Sequence, residues 1–198
     1  MGVGQCWALD GFAHEVMRKT FLGRGFHMRQ FGRPLAGLAF VVAAAGFGAA
    51  PVQAREVVAF RDNVPAGTIV VKTHERRLYL VIGDGRALRY PVGVGMGSKQ
   101  WSGTTRIDGK YVAPAWSPPK EVKRDKPSLP DVIAGGSPKN PMGAAAMTLA
   151  GGEYAIHGTN VPRSIGGFVS YGCIRMYNED VLDLYSRVSV GTTVTVVR

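Results

Sequence analysis

Between His157 and Met176 the chain reads His-Gly-Thr-Asn-Val-Pro-Arg-Ser-Ile-Gly-Gly-Phe-Val-Ser-Tyr-Gly-Cys-Ile-Arg-Met. A cysteine that cleaves or forms amides must react as its thiolate. A thiol with an ordinary pKa of about 8.5 becomes reactive at neutral pH when a histidine or another cation stabilises the anion. Cys173 and His157 are separated by sixteen positions, and His157 closes an apolar strand before Gly158, where the backbone can turn sharply. Gly172 lets the backbone approach a substrate closely, so the amides of Tyr171, Gly172 and Cys173 are candidates to face the oxygen of a tetrahedral intermediate. Arg175 carries a planar fork of donors that either binds a carboxylate or carbonyl or holds the loop.

Residues 28–54 limit which other groups can take part. A basic start at Met28-Arg29, the sixteen-residue apolar run Leu35 to Ala50, and Val52-Gln53-Ala54 form the pattern of a secretory signal peptide. The run is short and rich in Ala and Gly, whereas a bilayer span needs about twenty strongly apolar residues. Cleavage, with Arg55 as the first mature residue, is therefore expected over retention as an anchor. Residues 1–27 precede the signal pattern and read as an upstream extension or a misassigned start, with Met17 or Met28 as alternative starts. Cys6 lies upstream of the cut, leaving Cys173 as the one cysteine of the mature chain. A lone thiol in an oxidising compartment reads as a reactive group or an intermolecular pair.

The mature chain has two histidines, His74 and His157. His74 sits in Lys-Thr-His-Glu-Arg-Arg and reads as an exposed strand residue. One cysteine and one usable histidine are too few for a metal site of the expected kind. After Ala54 there are 19 Lys and Arg against 12 Asp and Glu. Export argues against nucleic acid as the partner, and the surplus reads as a solvated basic surface suited to an anionic envelope.

Further out, alternation over Thr68–Thr73 and Arg77–Ile82, a Gly83-Asp84-Gly85 turn and a returning strand over Ala87–Val94 predict a β-meander. Lys110–Ala115 reads as another strand. Ser117–Pro141, with six prolines and four lysines, has no periodicity and reads as a long lid loop or an irregular excursion. Short strands are expected at Met147–Leu149 and Tyr154–Ile156. Asn178 reads as the N-cap of one amphipathic helix over about 178–188, and Thr192–Val197 as a final strand. The class is mainly β with one clear helix.

At His157-Gly158-Thr159-Asn160, Ser164-Ile165-Gly166 and Ser170-Tyr171-Gly172-Cys173-Ile174-Arg175-Met176 the chain resembles the L,D-transpeptidase (YkuD-type) catalytic domain. Weaker similarity covers residues 66–198, with 55–65 as a short leading segment. The resemblance implies a β-sandwich-like domain, no cofactor, and peptidoglycan stem peptides as partners in the periplasm or cell-wall space. It implies Cys173 as nucleophile on the diaminopimelate–D-Ala bond, His157 as general base and acid, and the Gly158 carbonyl as the group orienting the imidazole. Ser170 and Arg175 would shape the site. Many members carry His where this chain has Tyr171, so no role for a second imidazole transfers.

The motif does not separate acceptors: a stem amine gives a 3-3 crosslink, a lipoprotein lysine gives protein anchoring, and water gives hydrolysis. A non-catalytic envelope-binding module is the reading of another class, against which an intact His157 and Cys173 argue. A papain-like protease is disfavoured because there the cysteine precedes the histidine by a long interval.

Overall fold

The computed structural model describes residues 55–152 and 154–198; the signal-peptide reading and the upstream extension lie outside the described residues. In chain order the strands β1 Glu56–Ala59, β2 Ile69–Lys72, β3 Arg77–Gly83, β4 Arg86–Pro91, β5 Val94–Gly95 and β6 Gly103–Val112 come first. Helix α1 Lys120–Asp125 and strands β7 Ala145–Leu149, β8 Ala155–His157, β9 Phe168–Ser170 and β10 Ile174–Arg175 follow. Helix α2 Asn178–Arg187 and strand β11 Thr193–Val197 complete the set.

Nine strands make one sheet in the order β1-β4-β3-β2-β11-β6-β7-β8-β10, and β5 pairs separately with β9. The segment 55–65 thus supplies the edge strand β1, which is antiparallel to β4. Strand β6 changes partner along its length: Gly103–Arg106 pairs with β11 and Ile107–Val112 with β7. The register shifts between Ile107 and Gly109. A Cβ at Gly109 would stand 2.7 Å from Thr148 Oγ1, which is why a glycine occupies this bend. Sequence reading started this strand at Lys110. The observed strand begins seven residues earlier, where threonines and glycines hide the alternation.

The two halves of the bent sheet share one core. Ile69, Leu78 and Val194 from one half pack with Met147, Ile156 and Ile174 from the other, and with Val181 and Leu184 of α2. The sandwich-like, mainly β expectation matches this arrangement. The back of the first half is covered by Phe60 against Val70, Tyr79 and Val81, so β2 is buried on both faces. Lys110 of β6 donates to the carbonyls of Tyr185 (2.7 Å) and Val188 (2.5 Å), satisfying groups that a helix C-terminus leaves open.

The 117–141 excursion departs from the structureless loop expected. It contains α1 and is closed at its base by the Trp116–Ile133 bridge. Its own small core joins Val122 and Leu129 to Trp116, Ile133, Met142 and Ala146. Buried Asn140 donates to the carbonyls of Pro114 (2.8 Å) and Ala134 (3.1 Å) and accepts from Met142 N–H (2.8 Å). Among the described residues no helix is long and apolar enough to cross a membrane.

Candidate active site

Parallel pairing of β8 with β10 sets Ile156 against Ile174 and His157 against Arg175. Residues far apart in the motif are thereby brought to one end of the sheet. His157, Ser170, Tyr171, Cys173 and Arg175 all line one open cleft of about 870 Å³. The excursion forms the facing wall through Trp116, α1 and Lys139.

His157 is 2% exposed, and its Nδ1 lies 2.7 Å from the Gly158 carbonyl. A carbonyl oxygen can only accept, so Nδ1 carries a proton, and in the neutral form of the ring the lone pair is at Nε2. This is the tautomer a general base requires.

The turn before Cys173 is tied from two sides. Ser170 Oγ donates to the Cys173 carbonyl (2.6 Å) and accepts from Gly172 N–H (3.1 Å). Trp101 Nε1 donates to the Gly172 carbonyl at 2.9 Å, and the Trp101 and Tyr154 rings stack with centroids 5.0 Å apart. Gly172 has φ +119°, and a Cβ there would stand 2.2 Å from Tyr154 Cε1, so only glycine fits. Of the three amides named from sequence, that of Gly172 is committed to Ser170. Because a trans peptide holds its C=O and N–H antiparallel, anchoring Gly172 O on Trp101 also fixes the direction of Cys173 N–H.

Arg175 is placed beside Cys173 with a buried Nε that has no hydrogen-bond partner among the described residues. Burial pulls its guanidinium below its ordinary pKa, and the negative charge of a Cys173 thiolate opposes that shift. That Nε, unpartnered among the described residues, is the donor left for a bound group. Tyr171 directs its hydroxyl to Asp125 of α1 (2.8 Å). That bond, ahead of Arg124, lowers the Asp125 carboxyl. His74 is exposed beside Glu75 (3.5 Å) and takes no part in the cleft.

Trp101, Tyr154 and Asn178 were not marked as site residues by sequence. Trp101 acts across 71 positions and reads locally as part of a loop. Asn178 does not cap α2: Tyr177 occupies that place, and the Asn178 side chain reaches Ala144 and Thr159 instead.

A mainly β fold that brings a histidine and a cysteine to the lining of one open cleft presents the residue types that cysteine acyl transfer uses. The family model for the L,D-transpeptidase catalytic domain, YkuD, matches residues 66–196, and the chain belongs to that family. It is 39% identical over 145 residues to the probable L,D-transpeptidase ErfK/SrfK of Escherichia coli, covering 69% of this chain and 45% of that protein. It is 34% identical over 174 residues to a putative L,D-transpeptidase of Fuscovulum blasticum, covering 82% and 90%. The chain therefore spans less than half the length of the Escherichia coli relative. Among solved structures, an L,D-transpeptidase from Mycobacterium smegmatis superposes with a TM-score of 0.53 at 18% identity, covering 66% of this chain and 58% of that one. The catalytic domain of the Enterococcus faecium L,D-transpeptidase gives 0.50 at 17% identity, covering 66% and 95%. At such identities these two comparisons speak to the fold.

Proposed function

We propose that this protein is an exported peptidoglycan L,D-transpeptidase acting in the periplasm or cell-wall space, with Cys173 as nucleophile and His157 as general base and acid. The observation that carries this reading is the His157 ring, fixed by the Gly158 carbonyl with Nε2 basic, in the same cleft as Cys173. His157 takes the thiol proton, and the Cys173 sulfur attacks the carbonyl of the diaminopimelate–D-Ala bond of a tetrapeptide stem. The C–N bond breaks as His157 returns the proton to the leaving amine of D-Ala, and a thioester remains. An acceptor amine, the side chain of a second stem, then attacks the thioester, losing its proton to His157 as the thiolate departs. The product is a 3-3 crosslink.

The amides of Tyr171 and Cys173 are the donors assigned to the tetrahedral oxygen. Ser170 holds their turn, and Arg175 supplies positive charge to the thiolate and to a substrate carboxylate or carbonyl. Lys120, Lys126 and Lys139 also line the cleft and form no ion pair among the described residues, a lining suited to the carboxylates of stem peptides. Incubating the protein with purified diaminopimelate-type muropeptides, followed by mass spectrometry, tests the reading. Crosslinked dimers and free D-Ala are expected, both lost in Cys173→Ala. Trimmed stems without dimers would make water the acceptor, and transfer only to an envelope lipoprotein's lysine would make the protein an anchoring enzyme.

A further inference from the structure

We infer that Asn178 is a positioning residue that sets the tautomer of His157 through the peptide plane between Gly158 and Thr159. The inference rests on the role proposed for His157 and extends it one residue outward. Asn178 Oδ1 accepts from Thr159 N–H (3.0 Å) and from Ala144 N–H (3.0 Å), while Nδ2 donates to the Thr159 carbonyl (3.1 Å). Thr159 N–H and Gly158 C=O are the two ends of one planar trans unit and point in opposite directions. Holding the N–H on Asn178 therefore aims the carbonyl away from it, and there His157 Nδ1 meets that carbonyl at 2.7 Å. The chain runs from amide side chain to peptide plane to imidazole, with the reactive Nε2 at its far end.

Two glycines make room for this arrangement. A Cβ at Gly143 would stand 2.2 Å from Asn178 Oδ1, and one at Gly158 would stand 2.3 Å from the same atom. A third anchor comes from Met176, whose N–H donates to the His157 carbonyl at 2.8 Å. It fixes the backbone of His157 and leaves the 158–159 plane to Asn178. Only an acceptor at the Asn178 position orients the plane. A side chain lacking one lets the Gly158 carbonyl rotate away, and the ring then loses what keeps its proton on Nδ1.

The test reads the tautomer on the protein alone, so a chain that proved to have a different substrate or acceptor would leave it intact. Long-range 1H–15N spectra of the wild type should show that the neutral form of His157 keeps its proton on Nδ1. In Asn178→Ala the two tautomers should mix. Alkylation of Cys173 by iodoacetamide, followed against pH, should move toward an isolated thiol, with a loss of roughly 10²-fold at pH 6.5. Asn178→Asp keeps the Oδ1 acceptor and should keep the wild-type tautomer. Should Asn178→Ala fail to fold, Asn178→Ser carries the same expectation, since its hydroxyl is too short to reach both amides. A folded Ala or Ser variant with the wild-type tautomer and alkylation profile would overturn the inference. So would an Asp variant, folded, whose tautomers mix.

Discussion

Gly172→Ala measures how tightly the turn before Cys173 is built. The native φ of +119° is one where an L side chain costs about 1–3 kcal/mol. The new Cβ also lands 2.2 Å from Tyr154 Cε1, far inside contact distance, so the ring must move. It is stacked on Trp101 at 5.0 Å with 9° between planes, and an aromatic pair of this kind contributes about 0.5–1.5 kcal/mol. The Trp101 hydrogen bond to Gly172 O, about 0.5–1.5 kcal/mol, is strained at the same time. Together these give a loss of about 2–6 kcal/mol. With a urea slope of about 2 kcal/mol per molar, the midpoint should fall by roughly 1–3 M, and the Trp101 indole resonance should shift. In a Tyr154→Ala background the same substitution should cost only the backbone part, about 1–3 kcal/mol, a coupling that a double-mutant cycle reads directly. Equal midpoints for Gly172→Ala and wild type, with the Trp101 resonance unmoved, would refute the reasoning.

Two other outcomes are expected. Burial first, and repulsion from Glu179 second, push the Asp180 carboxyl up to about 6; between pH 4 and 6 the folded chain keeps a proton that the unfolded chain has released, so stability should fall as pH rises through that window. The drop is at most about 3 kcal/mol, reduced by the favourable dipole at the start of α2, and Asp180→Asn should flatten urea midpoints compared at pH 4.5 and 7.5. Asp183, held low chiefly by its hydrogen bonds from Arg187, acts with the opposite sign below about pH 4. Tyr171→Phe removes the tie between the Cys173 turn and α1, and should raise KM for muropeptides more than it lowers kcat; an unchanged KM would remove α1 from substrate binding.

The proposed pair, His157 and Cys173, could be picked out because both residues lie in one contiguous motif, and the structure places both in one cleft. The meander β2–β4 was legible through its alternation, although Val70 turned out to face a second covered layer. Helix α1 was hidden: six mostly polar residues after two prolines carry no apolar stripe, and Val122 alone anchors it to the small core beneath. Asn178 obeyed a local capping rule that tertiary demand overrode, since amides 34 and 19 positions upstream needed an acceptor. Ala87–Val94 read as one strand, but β4 ends at Pro91, which has no N–H to extend the ladder, and β5 starts at Val94 to pair with β9.

Among the described residues strand β11 follows every other strand yet lies in the middle of the sheet, parallel to β2 and antiparallel to β6. A polypeptide emerging in order exposes both of those edges until residues 193–197 are available to join them. Closure is a late, long-distance event, slow by the entropy of joining distant segments, and the interval before it is when unsatisfied edges invite foreign pairing.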